Sequence, residues 1–354
     1  NRLTADIEAQ HVFSPFDSHT MVWGAGYRIT GDKISNTTNN TFDPEKETDQ
    51  VFSAFIQDKI ELVPDTLDVT VGSKFEINDY TGFEWQPSVR TSWRPTATDT
   101  LWAAVSRAVR TPTRAENDLR ISAAVIPPLS AGNPAAVPLQ LLILGSDDVK
   151  SEEVMAYELG YRTQPKPSLS LDAAAFYNVY HSLSTIRPGS AVFIGGAQPH
   201  LELPLTVDDS SSGETYGIEL AADWRVQNWW RLRGSYSFFD IKIHIDPGNP
   251  VTGGEAAEGQ SPHHSAVLQS SMAVNESVSF DTTLRYVDSL SALGVPDYLE
   301  LDARLAWRPA PGMELAITGR NLLHDRHQEF GEESLTINPT SVPRTALVTF
   351  TVEF

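Results

Sequence analysis

Residues 346–354 read ALVTFTVEF, and they alternate. Ala346, Val348, Phe350, Val352 and Phe354 are apolar, whereas Leu347, Thr349, Thr351 and Glu353 between them are mostly polar. Side chains along a strand point to opposite faces with period two, so this stretch reads as a strand with one greasy and one wet face. A terminus is ordinarily polar and frayed. This one closes on an aromatic residue in a half-apolar strand, and the rest of the chain shows what such a strand belongs to.

The pattern recurs along the chain. In ETYGIELAADWRV (214–226) Tyr216, Ile218, Leu220, Ala222, Trp224 and Val226 share one face, with Thr215, Glu219, Asp223 and Arg225 on the other. SLSLDAAAFYNVY (168–180), VSFDTTLRYVD (278–288) and DYLELDARLAWRP (297–309) alternate in the same way. Soluble strands usually run about 5–6 residues. Alternation sustained over about 10 suits a tilted strand that crosses a membrane.

The connections alternate in length as well. Short polar turns stand at SPFDSH, LVPDT, RPTATD, TQPKPS, VQNW, VNES and RPAPG. Long links cover 30–48, 111–151, 186–212, 246–264 and 324–343, with brief ones at 78–82 and 292–296. Short turns on one side and long loops on the other describe an antiparallel outer-membrane β-barrel, with turns in the periplasm and loops outside. Trp93, Trp224 and Trp307 each close a strand before a short turn and precede Arg94, Arg225 and Arg308; Tyr161–Arg162 repeats the pattern. Amphipathic rings at that level mark a membrane interface on its periplasmic side.

Composition narrows the classes. The 354 residues suffice for one large domain or two to three ordinary ones. The longest apolar run, AAVPLQLLILG (135–145), is broken by Pro138 and falls well short of the roughly 20 residues of a membrane helix. A net charge of −20, from 46 acidic against 26 basic residues, argues against nucleic acid as a partner, because phosphates are repelled. With 0 Cys there are neither disulfides nor thiolate metal sites. The start, NRLTADIEAQ, has no Met and no leader-like apolar segment and already reads as strand, so the sequence is expected to be an excerpt with preceding residues missing.

About fifteen strands are expected, an odd number where bacterial single-chain barrels are even. Five stretches, in order, resemble the C-terminal part of a TonB-dependent outer-membrane receptor. They are SVRTSWRPTATDTLWAAVSRAVRTPTRAENDL (88–119), GSDDVKSEEVMAYELGYR (145–162), ETYGIEL (214–220), GRNLLHDRHQEF (319–330) and VTFTVEF (348–354). In the fourth of these stretches Asn321 and Leu322 match the Asn-Leu pair that the family carries before its last loop; Ser146-Asp147 stands where the family often has Asn-Pro. The resemblance implies the later strands of a 22-stranded barrel around a plug that this chain does not contain, with residues 1–354 forming one partial barrel domain.

It also implies energised uptake of a scarce bulky solute, a ferric siderophore foremost, across a Gram-negative outer membrane, driven by a TonB complex. Phe350, Val352 and Phe354 resemble the signal read by the outer-membrane barrel assembly machinery. Arg107, Arg110 and Arg114 form a basic group at the start of a long loop. They suit ion pairs with neighbouring acids or contact with lipopolysaccharide in the first place, and an anionic iron chelate in the second. Charges on the wet faces, such as Asp172, Glu219, Asp302 and Arg304, are expected on the inner wall.

No cofactor and no metal site is expected. His263 and His264 are adjacent and point apart in a strand, while His324 and His327 flank a loop. The 111–145 loop lacks the His that haem-importing relatives carry. No nucleophile–base set or phosphate-binding loop stands out, so an enzyme is not expected. A passive porin, a barrel enzyme and a soluble carbohydrate-binding β protein are the rival readings; upstream plug sequence, a clustered catalytic set or membrane fractionation discriminates them.

Overall fold

The computed structural model describes residues 1–246, 248, 254–331 and 340–353. The chain rises and falls as a series of hairpins. It begins with β1 (Arg2–Phe13) and β2 (His19–Lys33), followed in the next loop by the short β3 (Asn40–Phe42). Then come β4 (Lys46–Val63), β5 (Leu67–Asn78), β6 (Gly82–Trp93) and β7 (Asp99–Arg110). The longest loop carries a short helix α1 (Arg114–Asp118), β8 (Leu119–Ile126) and β9 (Leu139–Leu144), and leads to β10 (Glu152–Lys166). β11 (Leu169–Pro188), the short β12 (Val192–Ile194), β13 (His200–Gln227) and β14 (Trp230–Ile245) follow. The last part comprises β15 (His264–Ala273), β16 (Val278–Val287), β17 (Tyr298–Ala310) and β18 (Met313–Arg320). A small pair, β19 (Arg326–Gln328) and β20 (Ser341–Pro343), precedes β21 (Thr345–Val352).

Fifteen of these strands form one antiparallel wall in chain order, from β1 through β2, β4–β7, β10, β11 and β13–β18 to β21. The expectation of about fifteen strands holds. β1 and β21 stand at the two ends of the ladder. The remaining strands belong to the long-loop side. β3 pairs β8, β8 pairs β9, and β9 runs parallel to the outer end of β13, with Leu139 facing Leu201 and Leu144 facing Thr206. The apolar run around Leu139–Leu144 is therefore a loop strand, with Leu139 and Leu142 buried.

Burial is inverted relative to a water-soluble protein. Few large apolar side chains are buried, whereas Glu84, Arg114, Asp240 and Glu300 are. Leu220, Leu305, Trp307, Val348 and Phe350 are 45%, 49%, 50%, 65% and 64% exposed. All five lie on one face. Trp307 pairs with Leu315, and Leu315 with Phe350; Leu305 pairs with Ile317, and Ile317 with Val348. The opposite face carries Glu219, Asp281, Arg304 and Asp302. An apolar exterior around a polar interior is the arrangement hydrocarbon requires.

Lumenal charges are paired along that inner face. Arg304 reaches Asp281 at 3.8 Å and also holds Glu314, and Arg308 meets Glu314 at 2.8 Å. Arg162 holds Asp172 at 2.5 Å, and Arg231 holds Asp223. Where a ring must lie flat on this wall, glycine makes room: a Cβ on Gly160 would collide with the Trp102 indole.

This facing makes a direct prediction. Leu220→Arg places a cation on the hydrocarbon side and is expected to cost about 2–4 kcal/mol at the midplane, whereas Glu219→Arg on the inner face costs much less. Folding yield and denaturant unfolding of the full-length protein in lipid vesicles measure both. Equal losses for the two variants contradict the assigned faces.

Candidate functional site

The long-loop rim is where the wall can meet a solute first, and it is built from α1, the strand ends around it and the last loop. Thr113 caps α1: its hydroxyl accepts from the Glu116 amide, and the Glu116 carboxylate accepts from the Thr113 amide at 2.7 Å. This reciprocal box satisfies donors that a helix start leaves open. Arg110, at the end of β7, then binds Glu116 and Glu152, each at 2.7 Å. Glu152 also accepts the Ser184 amide at 2.9 Å. One guanidinium thus ties β7, α1, β10 and β11 together. The Arg110 hydrogen bonds, aided by the Thr113 amide, hold the Glu116 carboxyl down at about 2, below its ordinary 4.5.

The three arginines of the sequence group do not converge. Arg107 sits on the Trp85 ring at 5.9 Å and pairs with Glu153 at 2.6 Å, at the rim of the wall. Arg110 makes the knot just described. Arg114 is buried inside the loops between Asp32, Glu47 (2.9 Å) and Asp118 (3.2 Å), and lies over the Phe42 ring at 5.4 Å. Residues 107 and 110 are three apart in a strand and point to opposite faces, and Arg114 leaves on a helix.

Asn321 and Leu322 shape the exit from β18 into the last loop. Asn321 is buried at φ 54°, a left-handed conformation that Asn tolerates better than most residues. Its amide donates to Asp302 at 2.9 Å and its side chain to the Pro343 carbonyl at 3.2 Å. The Leu322 amide donates to the Leu301 carbonyl at 2.9 Å.

His324 and His327 gather on Glu300, which is 1% exposed, at 2.8 Å and 3.3 Å. The Leu323 amide adds a contact at 3.2 Å, the Tyr298 ring lies tilted against His327 with centroids 4.5 Å apart, and His327 reaches Glu329 at 2.9 Å. Glu300 therefore fastens the last loop to the wall. Its wet-face position opposite Arg285 and the three-residue spacing of the histidines were the available signals. Among the described residues no group of His, Cys, Asp and Glu is placed to hold a metal ion. His263 and His264 have separate partners, Asp240 at 3.5 Å and Tyr236 at 2.8 Å.

Below the rim, the inner wall presents Trp102 over Gly160 and the ring pair Phe176–Phe239 at 6.3 Å, beside the Asn178–Thr215 hydrogen bond of 3.0 Å. At the short-turn end Trp93, Tyr161, Trp224 and Trp307 are 48%, 42%, 45% and 50% exposed on the outer face. Their neighbouring arginines turn inward: Arg94 binds Asp68 at 2.6 Å, Arg162 binds Asp172 and Arg308 binds Glu314. At the chain end, Phe350 and Val352 lie in β21, with Phe350 on the outer face; Phe354 lies outside the described residues.

A fifteen-strand wall with an apolar exterior, a charged interior, short turns at one rim and knotted loops at the other is the wall of a large outer-membrane β-barrel. Residues 1–322 match the family model described as TonB dependent receptor-like, beta-barrel, and the chain belongs to that family of Gram-negative outer-membrane proteins. A probable TonB-dependent siderophore receptor, PirA of Acinetobacter baumannii, is 27% identical over 206 residues, covering 58% of this chain and 24% of the relative. The solved structure of a siderophore receptor PirA from A. baumannii superposes with TM-score 0.75 at 15% identity, covering 100% of this chain and 55% of that one. A mutant of the ferric enterobactin receptor PfeA of Pseudomonas aeruginosa gives TM-score 0.73 at 18% identity, with 100% and 54% coverage. The chain thus spans about half the length of these solved receptors.

The Arg110 knot has a defined acid limit. A carboxyl held below its ordinary value stabilises the structure above that value and loses its contribution only as pH falls through the lowered one. The protection of the α1 amides, taken relative to their intrinsic exchange rate at each pH, is therefore expected to persist from pH 7 to about pH 4 and to fall only toward pH 2. Glu116→Gln removes the charge and is expected to lower that protection at neutral pH. Wild-type loop opening already complete near pH 4 contradicts the knot.

Proposed function

We propose that this chain forms the later wall of a receptor that imports a scarce, bulky solute, a ferric siderophore foremost, across the outer membrane at the expense of a TonB complex. The observation that carries the reading is the inner face. Asp172, Glu219, Asp302 and Arg304 line a wall whose polarity suits an enclosed protein domain and water, and the rim above it carries loops tied to the strand ends by ion pairs. The siderophore receptors it resembles support the same assignment.

In this reading the plug, the TonB-contacting segment and the first strands lie outside residues 1–354, and TonB acts through that plug. Solute enters from the rim, where Arg110 exchanges its carboxylate partners for an anionic chelate, while Arg107 and the buried Arg114 hold the strand ends and loops around it. Trp93, Tyr161, Trp224 and Trp307 rest at the periplasmic headgroup level, and the outer surface contacts lipid and lipopolysaccharide. The terminal strand, with Phe350, Val352 and Phe354, is read by the barrel assembly machinery. Enclosing the solute's path and meeting the solute at the rim are the work of this wall; no catalysis is assigned to it.

The test uses the full-length receptor in a Gram-negative strain lacking its own siderophore receptors, grown under iron limitation with radiolabelled ferric siderophores, ferric enterobactin among them. Saturable uptake that vanishes when TonB is deleted is expected. Uptake that rises linearly with solute and persists without TonB overturns the proposal in favour of a passive pore.

A further inference from the structure

The outer face carries a groove that the import reading does not use. Its floor is made of small residues on neighbouring strands, Ala173, Ala222, Gly234 and Ala266, and Leu171, Leu220, Leu268 and Leu284 rise beside them. The volume is about 610 Å³ and the lining is almost wholly apolar. The register explains why the groove is continuous. Ala173 faces Leu220, Leu220 faces Tyr236, Tyr236 faces Ala266 and Ala266 faces Tyr286, so these side chains form one line across the strands in which Ala173 and Ala266 leave the gaps. The next line runs Ala222, Gly234, Leu268 and Leu284.

That line is oblique to the membrane. It starts at Tyr161 near the turn end of β10, reaches Leu220 four residues above Trp224 in β13, and ends at Leu299 eight residues above Trp307 in β17. At about 3.3 Å per residue and the usual tilt of 35–45°, eight residues climb roughly 20 Å. A leaflet contributes about 15 Å of hydrocarbon. The groove therefore rises from the periplasmic headgroup level through the periplasmic leaflet, the path of an extended acyl chain.

Its foot has a charge. The Asp99 carboxylate accepts hydrogen bonds from the Tyr161 hydroxyl at 2.6 Å, from Thr98 at 3.0 Å and from Thr96, and among the described residues it has no ion-pair partner. Arg162, the adjacent cation, turns to the inner face and is spent on Asp172. A fixed, uncompensated carboxylate at headgroup level attracts an ammonium group and repels a lipid of net negative charge. Small floor residues let a hydrocarbon chain approach the backbone and recover dispersion contacts that a void would forfeit.

We propose that this groove seats one acyl chain of a periplasmic-leaflet phosphatidylethanolamine, whose ammonium group lies against Asp99. The occupant follows from the surroundings: hydrocarbon along the groove, a headgroup of positive end at its foot. The site is a structural lipid site on the barrel exterior and is independent of which solute the lumen carries.

The test is native mass spectrometry of the detergent-purified, full-length receptor titrated with phosphatidylethanolamine and phosphatidylglycerol of identical acyl chains. Wild type is expected to retain one phosphatidylethanolamine in preference. Ala222→Leu and Gly234→Leu fill the floor and are expected to lower that retention roughly fivefold, about 1 kcal/mol of binding. Ala54→Leu, on the outer face of β4 away from the groove, leaves it unchanged. Asp99→Asn keeps the groove and is expected to erase the preference between the two lipids. Heat-modifiable migration certifies that each variant is folded, and Ala222→Leu alone carries the packing arm if Gly234→Leu fails that check. Retention by folded Ala222→Leu equal to wild type, or equal binding of both lipids by wild type, overturns the proposal.

Discussion

Backbone amides and carbonyls placed in hydrocarbon have no water to fall back on. Each unpaired group costs several kcal/mol there, so a chain that crosses as strands must pair every strand with a neighbour. The uninterrupted ladder of fifteen antiparallel arms answers that requirement. Everything else follows from it. Strands long enough to cross need one apolar face; the other face, turned from lipid, is free to be charged; and the connections sort into tight turns at one rim and long loops at the other.

The inner charges are correspondingly ordered. Arg304 between Asp281 and Glu314, Arg162 on Asp172 and Arg231 on Asp223 form short-range pairs across neighbouring strands. Such pairs, half-exposed in an aqueous lumen, contribute little to stability individually. Their use is to let an acidic wall hold its shape while presenting polar groups to whatever fills the lumen. At the rim the logic changes. Arg114, Glu300 and the Arg110 knot are buried or shared between elements, and there a lost partner leaves a charge without compensation. Loop order at this end is therefore electrostatic, and the apolar contribution of β9 against β13 supplements it.

The wall was legible because its signal is one-dimensional. Tyr216–Ile218–Leu220 against Thr215–Glu219 declares its faces without reference to any other strand. Loop structure was not, because it depends on partners distant in sequence. Leu139–Leu144 looks like a broken apolar run until β13 is seen to run beside it in parallel. The basic group looked like one patch because 107, 110 and 114 are close in sequence, yet alternation and a helical turn send the three side chains to three surroundings. His324 and His327 were legible as a spaced pair; that both would settle on Glu300 required knowing that β17 starts beneath the last loop.

The central claim is that one face of each long strand lies in hydrocarbon and the other lines a polar interior. Residues 1–354 contain 0 Cys, so single cysteines at 215–224 in β13, placed in a full-length protein with any cysteine outside these residues replaced, can each carry a nitroxide label in lipid vesicles. Oxygen collision rates measured by electron paramagnetic resonance are expected to oscillate with period two, with maxima at Tyr216, Ile218, Leu220 and Ala222. A flat profile, or maxima at Thr215, Gly217, Glu219 and Ala221, contradicts the account.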